Sequence, residues 1–90
     1  MYNIVPTGKF KRDLKIVVKR GYDTRLIDDV VTKLANGEVL EPKYKGQSLS
    51  GYYIGKRECN ITTDWLLIYE YDNDNLFLYL TRTGTHSDLF

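Results

Sequence analysis

The sequence predicts an α+β domain in which an antiparallel two-helix hairpin packs on a twisted, mainly antiparallel sheet of about four strands. Three observations lead there. Two stretches in the first half repeat apolar residues at helical spacing. The second half carries strand-length apolar segments punctuated by turn residues. The 90 residues, 42% of them apolar, suffice for one core but not for two, so residues 1–90 form a single domain.

Tyr2 to Val5 is short, β-branched and aromatic and is ended by Pro6, as expected of a brief edge strand, where a missing amide is tolerated. Thr7 is placed to cap a first helix with Phe10, Leu14, Val17 and Val18 on one stripe and a basic opposite face; Gly21 stops it. Asp23 caps a second helix, with Leu26, Ile27, Val30, Val31 and Leu34 on its stripe and Gly37 as its stop. So short a link between amphipathic helices makes an antiparallel pair lying on the sheet.

Residues 38–50 show no sustained period, and Pro42, Gly46 and two serines mark a loop carrying Lys43 and Lys45. Gly51 to Gly55 and Lys56 to Ile61 read as two strands meeting at a Gly55-Lys56 turn. Asp64 to Tyr71 is nearly continuously apolar, the mark of a central strand covered on at least one face. Asp72 to Asn75 supplies the next turn. Leu76 to Arg82 is the last strand, and it delivers Gly84, His86 and Phe90 beyond its end.

No apolar run approaches the length that crosses a bilayer, and the first residues lack the basic-then-apolar pattern of a signal peptide, so a cytoplasmic protein with no membrane association is expected. The single Cys59 excludes an internal disulfide and reads as a buried strand cysteine, and one histidine excludes a zinc cluster built by this chain alone. A formal net charge of +1 conceals an asymmetry. Lys9, Lys11, Arg12, Lys15, Lys19 and Arg20 crowd the first helix, whereas Glu58 to Asp74 carries only acids. A basic helix suits RNA phosphates or an acidic protein, and is equally an ordinary solvated face. Arg82 to Phe90 gathers a cation, the only histidine and a terminal aromatic ring, the groups that a phosphate-handling site would need.

Thr7 to Lys15, Lys19 to Asp23, Leu49 to Gly51, Arg57 to Cys59, Asp64 to Tyr69 and Arg82 to Phe90 together resemble the YafQ branch of the RelE toxins, in order and along essentially the whole chain. The resemblance implies a RelE-like fold and the toxin half of a bacterial type II toxin–antitoxin pair. Such a toxin is a small ribonuclease that enters the ribosomal A site, cuts mRNA without metal or other cofactor, and is silenced in a hetero-oligomer with its cognate antitoxin. Metal-free cleavage proceeds by attack of the 2′-hydroxyl on the adjacent phosphorus, which calls for proton removal, protonation of the leaving 5′-oxygen and an offset for phosphorane charge.

By that resemblance His86 is the proton-transfer residue, titrating in the range such a step needs. Asp64 is its carboxylate partner or a second acid–base group, and Arg82 and Arg57 contact the scissile phosphate through forked donors. Lys43 and Lys45 are phosphate ligands, and Trp65 and Phe90 occupy aromatic positions where a base can stack. Two departures stand out. Gln47 and Asn60 occupy positions where the family has histidines, and an amide does not titrate. Each lost general acid or base costs roughly a hundred- to ten-thousand-fold in rate, so weakened catalysis is expected. The alternative is an inactive homologue that acts by antitoxin binding and operon corepression.

Overall fold

The computed structural model describes residues Met1–Phe90. In chain order the elements are β1 (Asn3–Pro6), α1 (Gly8–Lys19), α2 (Thr24–Ala35), β2 (Gln47–Ser48), β3 (Arg57–Thr62), β4 (Trp65–Asp72), β5 (Phe77–Gly84) and α3 (His86–Leu89), with single 3₁₀ turns at Pro42–Tyr44 and Gly51–Tyr53. The sheet has five strands in the order β1-β5-β4-β3-β2. Its pairs are antiparallel except that β1 runs parallel to β5, bringing Pro6 opposite Leu80.

Both helix starts follow from local chemistry. The Thr7 hydroxyl accepts the Phe10 N–H at 3.1 Å and itself donates to the Thr81 carbonyl, so one side chain caps α1 and ties it to β5. The Asp23 carboxylate accepts the Arg25 N–H at 3.0 Å. Of the first stripe, Phe10 and Val17 are buried and Leu14 is half-buried, but Val18 stays exposed, because α1 lies along β5 and buries a narrow arc. On α2, Ile27, Val30, Val31 and Leu34 are buried while Leu26 is exposed.

The helices cover one face of the sheet, where Cys59, Ile61, Trp65, Leu67, Tyr69, Leu78 and Leu80 meet them. The opposite face carries a smaller cluster of Leu66 and Ile68 under Tyr53 and Leu89. Burial on both faces explains why β4 reads as an unbroken apolar run rather than an alternating one.

Three expectations need correction. The sheet has five strands rather than about four. Gly51 to Gly55 is not a strand: Gly51 and Gly55 take positive φ (65° and 85°), and the segment between makes one 3₁₀ turn that drops Tyr53 onto the far face. The true partner of β3 on that side is β2, within the stretch read as loop. The residues after β5 wind into the single turn α3.

Candidate active site

Side chains alternate across a strand, and residues opposite one another in register share a face. Gln47 faces Glu58, Glu58 faces Ile68 and Ile68 faces Arg82, so one transverse row crosses four strands; Asn60, Leu66 and Gly84 form the next row. Both rows lie on the face away from α1 and α2, beneath Tyr53 and α3.

Within the row, Gln47 Nε2 donates to Glu58 Oε2 at 2.6 Å. Glu58 is 8% exposed, and its other oxygen, Oε1, is buried without a partner. A buried carboxylate oxygen with nothing to accept from is an unusual expense in so small a domain, and it marks Glu58 as a candidate that sequence reasoning did not single out. Its signal was present: an acid inside a strand, on the same face as Asn60 two residues on. Asn60 Nδ2 donates to the Thr63 carbonyl at 3.2 Å, fixing the β3–β4 turn in which Asp64 sits.

α3 presents His86 at the rim of this face. The Thr85 hydroxyl accepts the Asp88 N–H, and Asp88 Oδ2 accepts the Thr85 N–H at 2.8 Å, a reciprocal capping box. Arg20, at the end of α1, grips Asp88 with two donors at 2.6 and 3.1 Å and holds its carboxyl well below the usual carboxylate range, with help from the Thr85 amide. Leu89 is buried and its carbonyl accepts the Tyr53 hydroxyl at 3.1 Å. The Phe90 ring stacks on His86 with centroids 4.8 Å apart and meets the Tyr53 ring edge-on. Asp64 Oδ1 accepts the His86 backbone N–H at 3.5 Å, so the two candidates are neighbours, joined through the main chain and not through the imidazole.

Arg82 is held by a residue from the far end of the chain. Asp13 accepts from its Nε at 2.6 Å and its Nη2 at 3.1 Å, and from the Thr83 N–H at 3.2 Å. β1 stops opposite Leu80, which leaves the edge of β5 open beyond that point, and Asp13 fills the vacancy as acceptor. The Asp13 carboxylate raises the Arg82 pKa, so the guanidinium remains a fixed cation.

The remaining candidates separate from this group. Arg57 pairs in register with Tyr69 and therefore faces the helix side, where it bonds the Ser48 hydroxyl at 2.9 Å and lines a cavity with Lys45, Tyr2, Tyr69 and Tyr71. Lys43 and Lys45 stand beside Asn60, Thr62 and Thr63 at the sheet's edge, with the Lys43 ammonium 5.1 Å from the Tyr44 ring. The expectation that Arg57 and Arg82 grip one phosphate therefore gives way to two cations on opposite faces. Trp65 is likewise corrected as a stacking platform. It is 1% exposed, its indole N–H donates to the Thr83 hydroxyl at 2.8 Å, and Tyr22 packs against it edge-on. Phe90, half-exposed, keeps a ring available.

No group of three or more His, Cys, Asp or Glu side chains is gathered anywhere in the chain. The chain has one imidazole, His86, and one thiol, Cys59, which burial pushes up to about 12.

The family model for YafQ, described as a bacterial toxin of a type II toxin–antitoxin system, matches residues 2–90. The mRNA interferase toxin YafQ of Escherichia coli K12 is 36% identical over 85 residues, 93% of this chain and 90% of the relative. A metal-bound toxin from Helicobacter pylori superposes with a TM-score of 0.94 at 43% identity, covering 100% of each chain. A chain of the E. coli DinJ–YafQ complex superposes at 0.90 with 33% identity, covering 100% of this chain and 99% of the other.

Proposed function

Because the chain belongs to the YafQ family of bacterial type II toxin–antitoxin toxins, we propose that it is an mRNA interferase, an endoribonuclease that cuts mRNA on the ribosome in the cytoplasm and is silenced by a cognate antitoxin. The observation that carries this reading is the latched C-terminal turn, which stacks the only imidazole on an aromatic ring and ties its main chain to Asp64.

The chemistry follows from those groups. The 2′-oxygen bonds to phosphorus as the P–O5′ bond breaks, leaving a 2′,3′-cyclic phosphate and a 5′-hydroxyl. His86 exchanges the proton with the leaving oxygen, and its exposure lets it reach a strand lying over the rim. Asp64, exposed beside the His86 main chain, accepts the proton of the attacking hydroxyl, while Glu58 stays buried against Gln47. Arg82, permanently charged and braced by Asp13, offsets charge on the phosphorane. The face of Phe90 receives a base.

Gln47 and Asn60 support a weakened form of this catalysis. Both are engaged, with Glu58 and with the Thr63 carbonyl, and neither can carry a proton. The same engagement supports the second reading, a homologue that binds its antitoxin and regulates its own operon without cutting RNA. Induced expression separates them. Growth arrest with cleaved transcripts, lost in His86→Ala, supports the nuclease. Soluble protein that never arrests growth favours the binding role, and arrest that persists in His86→Ala removes His86 from the mechanism.

A further inference from the structure

The first turn of α1, the Gly51–Tyr53 turn with Lys56 after it, and β5 enclose a small cleft of about 170 Å³, lined by Lys9, Tyr52, Tyr53, Lys56, Thr81 and Arg82. Half of its lining residues are cations, and no carboxylate is among them. Lys9 has no ion-pair partner. Lys56 reaches only Glu70, at 3.6 Å between partly exposed side chains, a pairing that water or a better anion can displace. Arg82 is braced by Asp13 through Nε and Nη2, which leaves Nη1 for another acceptor. The N-terminal end of α1, beside Lys9, adds the positive end of a helix dipole.

The cleft is adjacent to the site described above. Tyr53 is the shared wall: it lines the cleft, while its ring edge meets Phe90, which stacks on His86. Tyr52, 83% exposed, stands at the mouth with its ring edge-on to Tyr53. Cations interleaved with an exposed aromatic ring are what a single-stranded nucleic acid engages, phosphate on charge and base on ring. An acidic protein segment would gain from the charge but has no use for a free aromatic face above it.

We propose that this cleft is a second RNA subsite, in which Lys9 and Lys56 bind the phosphodiester neighbouring the one at His86 and Arg82 while Tyr52 takes a base. The assignment rests on the ribonuclease reading, and it gives α1 a role in substrate binding. Lys9 and Lys56 hold the strand and take no part in proton transfer.

The test is a Lys9→Gln, Lys56→Gln double variant, read by fluorescence anisotropy on a short 2′-O-methyl oligoribonucleotide, which cannot be cut. Binding should weaken roughly ten- to hundred-fold, as for lost charge-assisted contacts. The slope of log affinity against log salt should become shallower by about 0.7, the share of one single-strand phosphate. Lys9→Arg, Lys56→Arg should retain wild-type binding, which guards against a variant that merely misfolds. On translated mRNA the Gln variant should raise KM and leave kcat unchanged. Unaltered affinity and salt slope in the Gln variant overturn the subsite, as does intact RNA binding with loss of antitoxin binding. Absence of any cleavage of translated mRNA by the wild-type protein overturns the ribonuclease reading instead and leaves the RNA-binding result standing.

Discussion

Removing the Asp88 carboxylate should free His86 while the rest of the domain stays folded. Asp88→Ala deletes half of the Thr85 capping box, a loss of about 1 kcal/mol for a typical cap. It also deletes both contacts from Arg20, and between side chains 41% and 31% exposed such a pair adds little. A loss of about 1 kcal/mol changes the ratio of docked to undocked α3 by roughly five-fold. Gly84→Ala attacks the same joint from the other side. A Cβ at Gly84 would lie 2.9 Å from Asp88 Oδ2 and 3.0 Å from Asp88 Cβ, on a backbone with φ of +156°, so Asp88 must move. Hydrogen exchange of the Asp88, Leu89 and Phe90 amides should accelerate in both variants, and mRNA cleavage should fall in proportion, with little change in the exchange of β4 and β5. Asp88 has a lowered pKa in the folded protein, so its contribution is present above the unfolded carboxylate value near 3.9 and is lost as pH falls toward the folded one. The latch should therefore hold unchanged at neutral pH. Unaltered α3 exchange in both variants would refute the reasoning, and cleavage lost without any loosening would mean that Asp88 acts on RNA directly.

Three further outcomes are expected. Gln47→His with Asn60→His should raise cleavage of translated mRNA, toward the hundred-fold or more that one positioned acid–base group contributes; an unchanged rate would mean the row beneath α3 is not where protons move. Trp65→Ala should destabilise the fold by about 3–5 kcal/mol in urea titration, whereas Trp65→Phe, which keeps most of the ring and loses the hydrogen bond to Thr83, should cost about 1–3 kcal/mol and leave RNA affinity intact. Selective loss of RNA affinity at full stability would return Trp65 to the binding surface. Cys59, with its thiol pushed up to about 12 by burial, should resist iodoacetamide until the protein unfolds. The neutral buried thiol contributes stability that is complete below the unfolded value near 8.5 and declines as pH rises toward 12, and rapid labelling of native protein at neutral pH would contradict this.

Features governed by neighbouring residues were legible in the sequence. Thr7 and Asp23 announced their helices because a cap is a local bond, and β4 announced its burial because no charged residue interrupts it from Trp65 to Tyr69. The Gly51–Tyr53 turn was misread because an aromatic pair between glycines has strand composition, while the backbone freedom of both glycines decides the outcome. β1 pairs with a strand more than 70 positions away, which no local pattern encodes. α3 is too short to show a period, yet Thr85 and Asp88 carry the spacing of a capping box. The placement of Arg57 was also recoverable: three residues from Asn60 in one strand, it had to point the other way. Glu58 was passed over because its distinction, a buried oxygen without a partner, exists only in the folded chain.

The ties that build the site span nearly the whole chain: Asp13 to Arg82, Arg20 to Asp88, Tyr53 to Leu89. Each joins an early residue to one of the last nine. A chain without them has no imidazole, no braced arginine and no turn to carry either, so on the mechanism proposed above the site is complete only once residues 82–90 are folded onto the earlier elements.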